Sequence, residues 1–137
     1  MTPGQRWLFL IVGYFATVAI ELPILVALLR GCSRLDRVKA GFLLTAFSYP
    51  IVVLVIPALF AMTHGQNRIS YLAAAETTAP LMEILLYRLM IRQPVLARPD
   101  RNAAVIVVAN LCSFLLGEWF VSARIHAWID AMTPGGR

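Results

Sequence analysis

Four long apolar stretches decide what this chain can fold into: Trp7 to Leu29, Val38 to Met62, Ile69 to Ile91, and Asn102 to Ala123. Each matches the roughly 20 residues that an α-helix, rising about 1.5 Å per residue, needs to cross about 30 Å of hydrocarbon. A membrane-spanning strand would need only about 9–11 residues in strict alternation, and these stretches are apolar without alternating. The expected fold class is therefore an all-α membrane protein, a bundle of four transmembrane helices forming a single domain over residues 1–137. Composition agrees, with 60% apolar and 14% charged residues, where soluble domains carry roughly 45–50% and about 25%.

The first stretch runs past the roughly 7–15 residues of a signal-peptide core, so it is expected to stay in the protein as a helix. Cys32 falls in a loop beside Arg30 and Cys112 near the middle of the fourth stretch, depths too different for a disulfide. The net charge of +5 does not read as a nucleic-acid surface, because the basic residues sit at helix ends rather than in a patch interleaved with aromatics. Lysine and arginine gather on the cytoplasmic side of membrane helices. Arg30, Arg34, Arg37 and Lys39 flank the first connection, and Arg88, Arg92, Arg98 and Arg101 the third; the other side holds only Arg6, Arg68, Arg124 and Arg137. That bias predicts a multi-pass protein with the first and third connections in the cytoplasm and both termini outside.

The expected connections are short, at Gly31 to Arg37, Thr63 to Asn67, and Gln93 to Asp100, the last with Pro94 and Pro99 as breakers. Beyond Arg124, the residues Ile125, Trp128, Ile129 and Met132 recur at helical spacing. They predict a short interfacial C-terminal helix within the tail 125–137, with Trp128 at the headgroups.

Four polar residues share one depth. Glu21 lies nine residues before Arg30, Ser48 nine after Lys39, Glu83 nine before Arg92 and Asn110 nine after Arg101. Nine residues of helix are about 13.5 Å, close to the bilayer midplane. Each helix also keeps its polar groups on one stripe: Tyr14, Thr17 and Glu21; Gly41, Thr45 and Ser48; Glu76, Pro80, Glu83 and Tyr87; Asn110, Ser113 and Gly117. An ionisable side chain in hydrocarbon costs at least about 2.5–3.5 kcal/mol, so such groups face an interior and mark function by default. The candidate binding or coupling layer is accordingly Glu21, Ser48, Tyr49, Glu76, Glu83, Asn110 and Ser113. The structural alternative is a set of neutral hydrogen-bonding groups that fix helix register. Glu118, six residues from Arg124, reads as a solvated interfacial group.

Pro23, Pro50 and Pro80 each remove a backbone hydrogen bond near this layer, which frees carbonyls for a cation or a side chain. Pro57, without a polar neighbour, reads as a plain kink. An offset of 62 superposes Glu21 on Glu83, Arg30 on Arg92, Lys39 on Arg101 and Ser48 on Asn110, the pattern of two parallel helix-hairpin repeats.

No H-E-x-x-H occurs, and Asp36, Asp100 and Asp130 all fall in loops or the tail, so no protease apparatus is present and no catalytic residue, metal or cofactor is expected. His64 and His126 read as solvated interfacial groups. A glutamate halfway along the first of four helices is similar to that of the small multidrug exporters, although Glu76 and Glu83 have no counterpart in that family. Through Glu21-Leu22-Pro23, Tyr49-Pro50 and the A-N-L-C-S run around Asn110, the chain resembles small uncharacterised four-helix inner-membrane proteins of bacteria, which implies the fold and no activity. Two functions are compatible with these residues. One is a non-catalytic accessory or structural subunit in a larger membrane complex, favoured because four helices enclose little volume. The other is a small homo-oligomeric proton- or cation-linked transporter or channel. The partners expected are the lipid bilayer with other membrane subunits or further copies of the chain.

Overall fold

The computed structural model describes residues 3–63, 68–92, 100–117 and 131. Those residues are helical, with no strand among them: α1 Pro3–Leu28, α2 Arg34–Pro50, a π-helical turn Ile51–Val55, α3 Ile56–Thr63, α4 Arg68–Met90 and α5 Arg101–Leu116. α2, the π turn and α3 run on as one rod, so the bundle has four rods. Two are long and apolar enough to cross a membrane, Trp7–Leu28 and Arg34–Met62. α4 has the length, but Glu76, Thr77, Thr78 and Glu83 lower its hydropathy, and α5 is described over only 16 residues. The expected tail helix with Trp128, residues 93–99 of the third connection, His64, His126, Glu118 and the end of the fourth stretch lie outside the described residues.

The helix ends at one pole of the bundle are fixed by local chemistry. Gly31, at φ +77°, takes the left-handed conformation in which a side chain would be strained, and it turns the chain out of α1. Arg37 returns from α2 and donates to the Val26 carbonyl in the last turn of α1, at 3.0 Å, and to the Cys32 carbonyl in the connection, at 3.3 Å. Ser33 and Asp36 form a reciprocal capping box, so α2 starts at Arg34 rather than after Arg37. The sequence contained this signal in the S-x-x-D spacing, and it shortens the first connection by a turn. Asp100 caps α5 through the Ala103 N–H at 2.9 Å. The Asn102 amide pairs with both backbone groups of Arg30, at 2.9 and 3.0 Å, and joins the start of α5 to the end of α1.

α1 packs on α2 and α5, and α4 packs on the same two helices. The rods thus stand at the corners of a square, with α1 diagonal to α4 and α2 diagonal to α5. Toward the Gly31 pole the centre of the square is filled by Leu25, Leu29, Leu44 and Ile106, all fully buried, with Ala40, Ala109 and Tyr87 around them. Small residues let the backbones approach: a methyl group at Gly41 would lie 2.6 Å from Leu22 Cδ1.

Candidate functional site

Midway along the bundle the hydrophobic filling stops and six polar side chains take its place. Glu21 and Glu83 come from the diagonal helices α1 and α4, and each is 1% exposed. Thr45 and Ser48 from α2, and Asn110 and Ser113 from α5, stand on the other diagonal. Because each donor helix touches both carboxylate helices, the bonds close into a ring around the square. Thr45 Oγ1 donates to Glu21 Oε2 at 2.7 Å and Ser113 Oγ to Glu21 Oε1 at 2.5 Å. Ser48 Oγ donates to Glu83 Oε1 at 2.5 Å and Asn110 Nδ2 to Glu83 Oε2 at 2.7 Å.

The pattern has the logic of a two-fold axis. Each carboxylate takes one donor from its own hairpin, Thr45 for Glu21 and Asn110 for Glu83, and one from the opposite hairpin, Ser113 for Glu21 and Ser48 for Glu83. The donors are an i, i+3 pair in both helices, offset by 65 residues, whereas the carboxylates are offset by 62. A slip of three residues is close to one helical turn. The functional equivalents are therefore Thr45 with Asn110 and Ser48 with Ser113, where a single gapless offset pairs Ser48 with Asn110.

Above the ring, away from the Gly31 pole, a cavity of about 220 Å³ opens between the four rods. All six ring residues line its floor. Its walls are largely apolar, including Phe9, Val52, Val53, Leu72 and Phe114, and they carry Tyr49, Tyr71 and Glu76 as polar groups. Among the described residues no lysine, arginine or histidine lines it. Among the described residues no group of three or more His, Cys, Asp or Glu side chains is placed to hold a metal ion.

Of the seven candidates taken from the sequence, Glu21, Ser48, Glu83, Asn110 and Ser113 meet in the ring. Glu76 sits on the cavity wall two turns up α4 from Glu83, partly buried and apart from the ring. Tyr49 also lines the wall, and its hydroxyl fills the space that a side chain at Gly13 would need. Thr45 completes the ring and was not among the candidates. It belonged to the polar stripe of its helix, but nothing in one helix says that its hydroxyl meets a carboxylate of another. Tyr87, placed on the stripe of α4, belongs instead to the Gly31 pole, where its hydroxyl accepts from Asn102 at 3.1 Å and lies 3.7 Å from Cys32 Sγ. Cys32 and Cys112 are both free thiols.

The π turn shapes one wall. It follows Pro50 and precedes Pro57, and its closing bond runs from the Ile56 N–H to the Ile51 carbonyl, five residues back. In that register the next N–H would serve the Val52 carbonyl, but the next residue is Pro57, which has none. The Tyr71 hydroxyl reaches Val52 O at 3.5 Å in its stead. Pro57 is therefore more than the plain kink expected, since it leaves a cavity-wall carbonyl to a side chain.

Comparison with protein-family models, with characterised proteins and with solved structures gives no match.

Proposed function

We propose that this chain is a small membrane component that binds a proton or a small cation at the Glu21–Glu83 ring and couples that binding to transport. The observation that carries the reading is the pairing of two buried carboxylates at the floor of a cavity where no described lining residue is basic. Attraction and desolvation then act together, because a positive charge relieves two acidic groups that have left water. The size of the cavity narrows the occupant. Drug-sized ligands need about 300–1,000 Å³, and a cavity of about 220 Å³ suits a cation with a few waters.

In this reading the chain crosses the bacterial inner membrane four times, with both termini outside, and lipid covers the exposed Phe15, Phe42 and Phe47. The accessory-subunit alternative drew on the small volume that four helices enclose, and the cavity weakens that ground. The decisive test is flux. Purified chain in proteoliposomes under an imposed pH gradient should move protons or exchange them for a monovalent cation, and Glu83→Gln should abolish the movement while leaving the helical content unchanged. Wild-type vesicles that carry no such flux, from a protein that purifies only with other chains, would transfer the case to the subunit.

A further inference from the structure

We infer that the two carboxyl groups of the ring are not equivalent: Glu21 carries the proton of the site, and Glu83 is the carboxylate that meets an incoming cation. The inference comes from counting hydrogen-bond donors, and it does not depend on where any single hydrogen is drawn.

Around Glu83 the count closes. Ser48 has one hydroxyl proton for its contact with Oε1. The Asn110 amide has two N–H groups for its two contacts, Glu83 Oε2 at 2.7 Å and the Ile106 carbonyl at 3.0 Å. Both of those partners are acceptors, which fixes which end of the amide is nitrogen. Three contacts are met by three protons, and an ionised Glu83 is fully satisfied.

Around Glu21 the count fails. Thr45 Oγ1 lies 2.7 Å from Glu21 Oε2 and 2.9 Å from the Gly41 carbonyl, and it has one proton. Ser113 Oγ lies 2.5 Å from Glu21 Oε1 and 2.9 Å from the Asn110 carbonyl, again with one proton. Four contacts share two hydroxyl protons. A protonated Glu21 supplies a third, which leaves one contact without its own proton instead of two: its acid O–H donates to one hydroxyl, which donates in turn to the backbone carbonyl behind it, while the other hydroxyl donates to the acid carbonyl. A buried contact without a proton sets two lone pairs against each other, so the arrangement favours the acid at Glu21.

The source of the difference is one substitution between otherwise equivalent places. Where the first hairpin has the hydroxyl of Thr45, the second has the amide of Asn110, and the amide brings one more donor. The other titratable groups facing the ring are Glu76 and Tyr71 from α4 and Tyr49 from α2. The four bonds to the ring carboxylates come from Thr45, Ser48, Asn110 and Ser113, and no lysine, arginine or histidine among the described cavity-lining residues offsets Glu83.

This deepens the coupling reading and rests on it for the use of the proton, though not for its place. The test is infrared spectroscopy of the full chain in detergent at neutral pH, read at the carbonyl stretch of the protonated carboxyl group. Wild-type protein should show the acid band, Glu21→Gln should lose it, and Glu83→Gln should keep it. Two further variants leave both glutamates in place in case Glu21→Gln does not fold: Thr45→Val should shift the band, and Ser48→Ala should leave its position unchanged. No band in wild type, a band lost with Glu83→Gln and kept with Glu21→Gln, a band indifferent to both, or a shift with Ser48→Ala but not Thr45→Val would each overturn the assignment. Because the band is read without flux, an inactive protein with its acid on Glu21 refutes coupling alone, and an active one with its acid on Glu83 refutes this inference alone.

Discussion

On the Gly31 side of the ring Leu25, Leu29, Leu44 and Ile106 have no exposed surface and are stitched at the pole by Asn102, Arg30, Tyr87 and Arg37. On the other side the same four rods part around a cavity of about 220 Å³, and a π turn and two prolines interrupt one of its walls. The two halves use the same helices and differ in what fills the centre. In one, large aliphatic side chains meet small ones, Ala40, Gly41, Ala103 and Ala109. In the other, Gly13, Ala16, Ala75 and Ala79 line the cavity, and the Tyr49 hydroxyl lies against Gly13. A ring of carboxylates at the join thus faces the cavity on one side and the sealed half on the other, which under the proposed coupling would have to part for a charge to cross.

The strongest way to break this comparison is to remove a large side chain from each half. Leu25→Ala empties a fully buried site, and in the membrane reading proposed above the expected loss is about 2–3 kcal/mol, the lower part of the range for buried leucines, because separated helices in lipid would keep apolar surroundings and lose mainly packing. Leu72→Ala, on the cavity wall, should cost less than about 1 kcal/mol, since one of its sides already faces space. Unfolding in mixed micelles measures both. Equal losses would mean that the two halves are packed alike and that the cavity is filled by side chains in solution.

A smaller effect with a difference in sign comes from the glycines. A methyl group at Gly41 lies 2.6 Å from Leu22 Cδ1 and 3.5 Å from Leu22 Cα, inside the sealed half. Gly41→Ala should therefore destabilise by about 1 kcal/mol, after the gain in helix propensity. At Gly13 the added methyl meets the hydroxyl end of Tyr49, which has the cavity to swing into. Gly13→Ala should be neutral or stabilising by up to about 1 kcal/mol, while the displaced ring narrows the cavity and slows whatever enters it. The same unfolding assay, with an entry assay beside it, separates the two cases.

Much of this arrangement was legible from residue spacing. Nine residues from each basic boundary put Glu21, Ser48, Glu83 and Asn110 at one depth, and helical periodicity turned them inward; both are properties of a single helix. What spacing cannot supply is the order of helices around the square, and the ring depends on that order. Ser113 reaches Glu21 across 92 positions of chain only because α5 lies beside α1. The offset of 62 aligned the carboxylates and misaligned their donors by a turn, because the matching basic residues register helix ends, whereas side-chain reach sets which donor meets which acid. Glu76 shared the stripe of Glu83 but stands two turns higher, on the cavity wall.

The smallest expected effect tests whether the wall of the open half is built or merely loose. Pro57 cannot donate, the π register would send its missing N–H to Val52 O, and Tyr71 supplies a long hydrogen bond of 3.5 Å to that carbonyl. Tyr71→Phe removes the hydroxyl and should cost about 0.5 kcal/mol, the low end for a hydrogen bond, because the distance is at the limit. Pro57→Ala restores a backbone donor, and the chain can then serve its own carbonyl. In that background Tyr71→Phe should cost less, so the pair should show a coupling of up to about 0.5 kcal/mol in a double-mutant cycle. A Tyr71→Phe cost that is the same with and without Pro57 would detach the tyrosine from the proline. The π turn would then be a consequence of Pro50 alone, and the open half would owe its shape to missing side chains rather than to a wall held in place across the cavity.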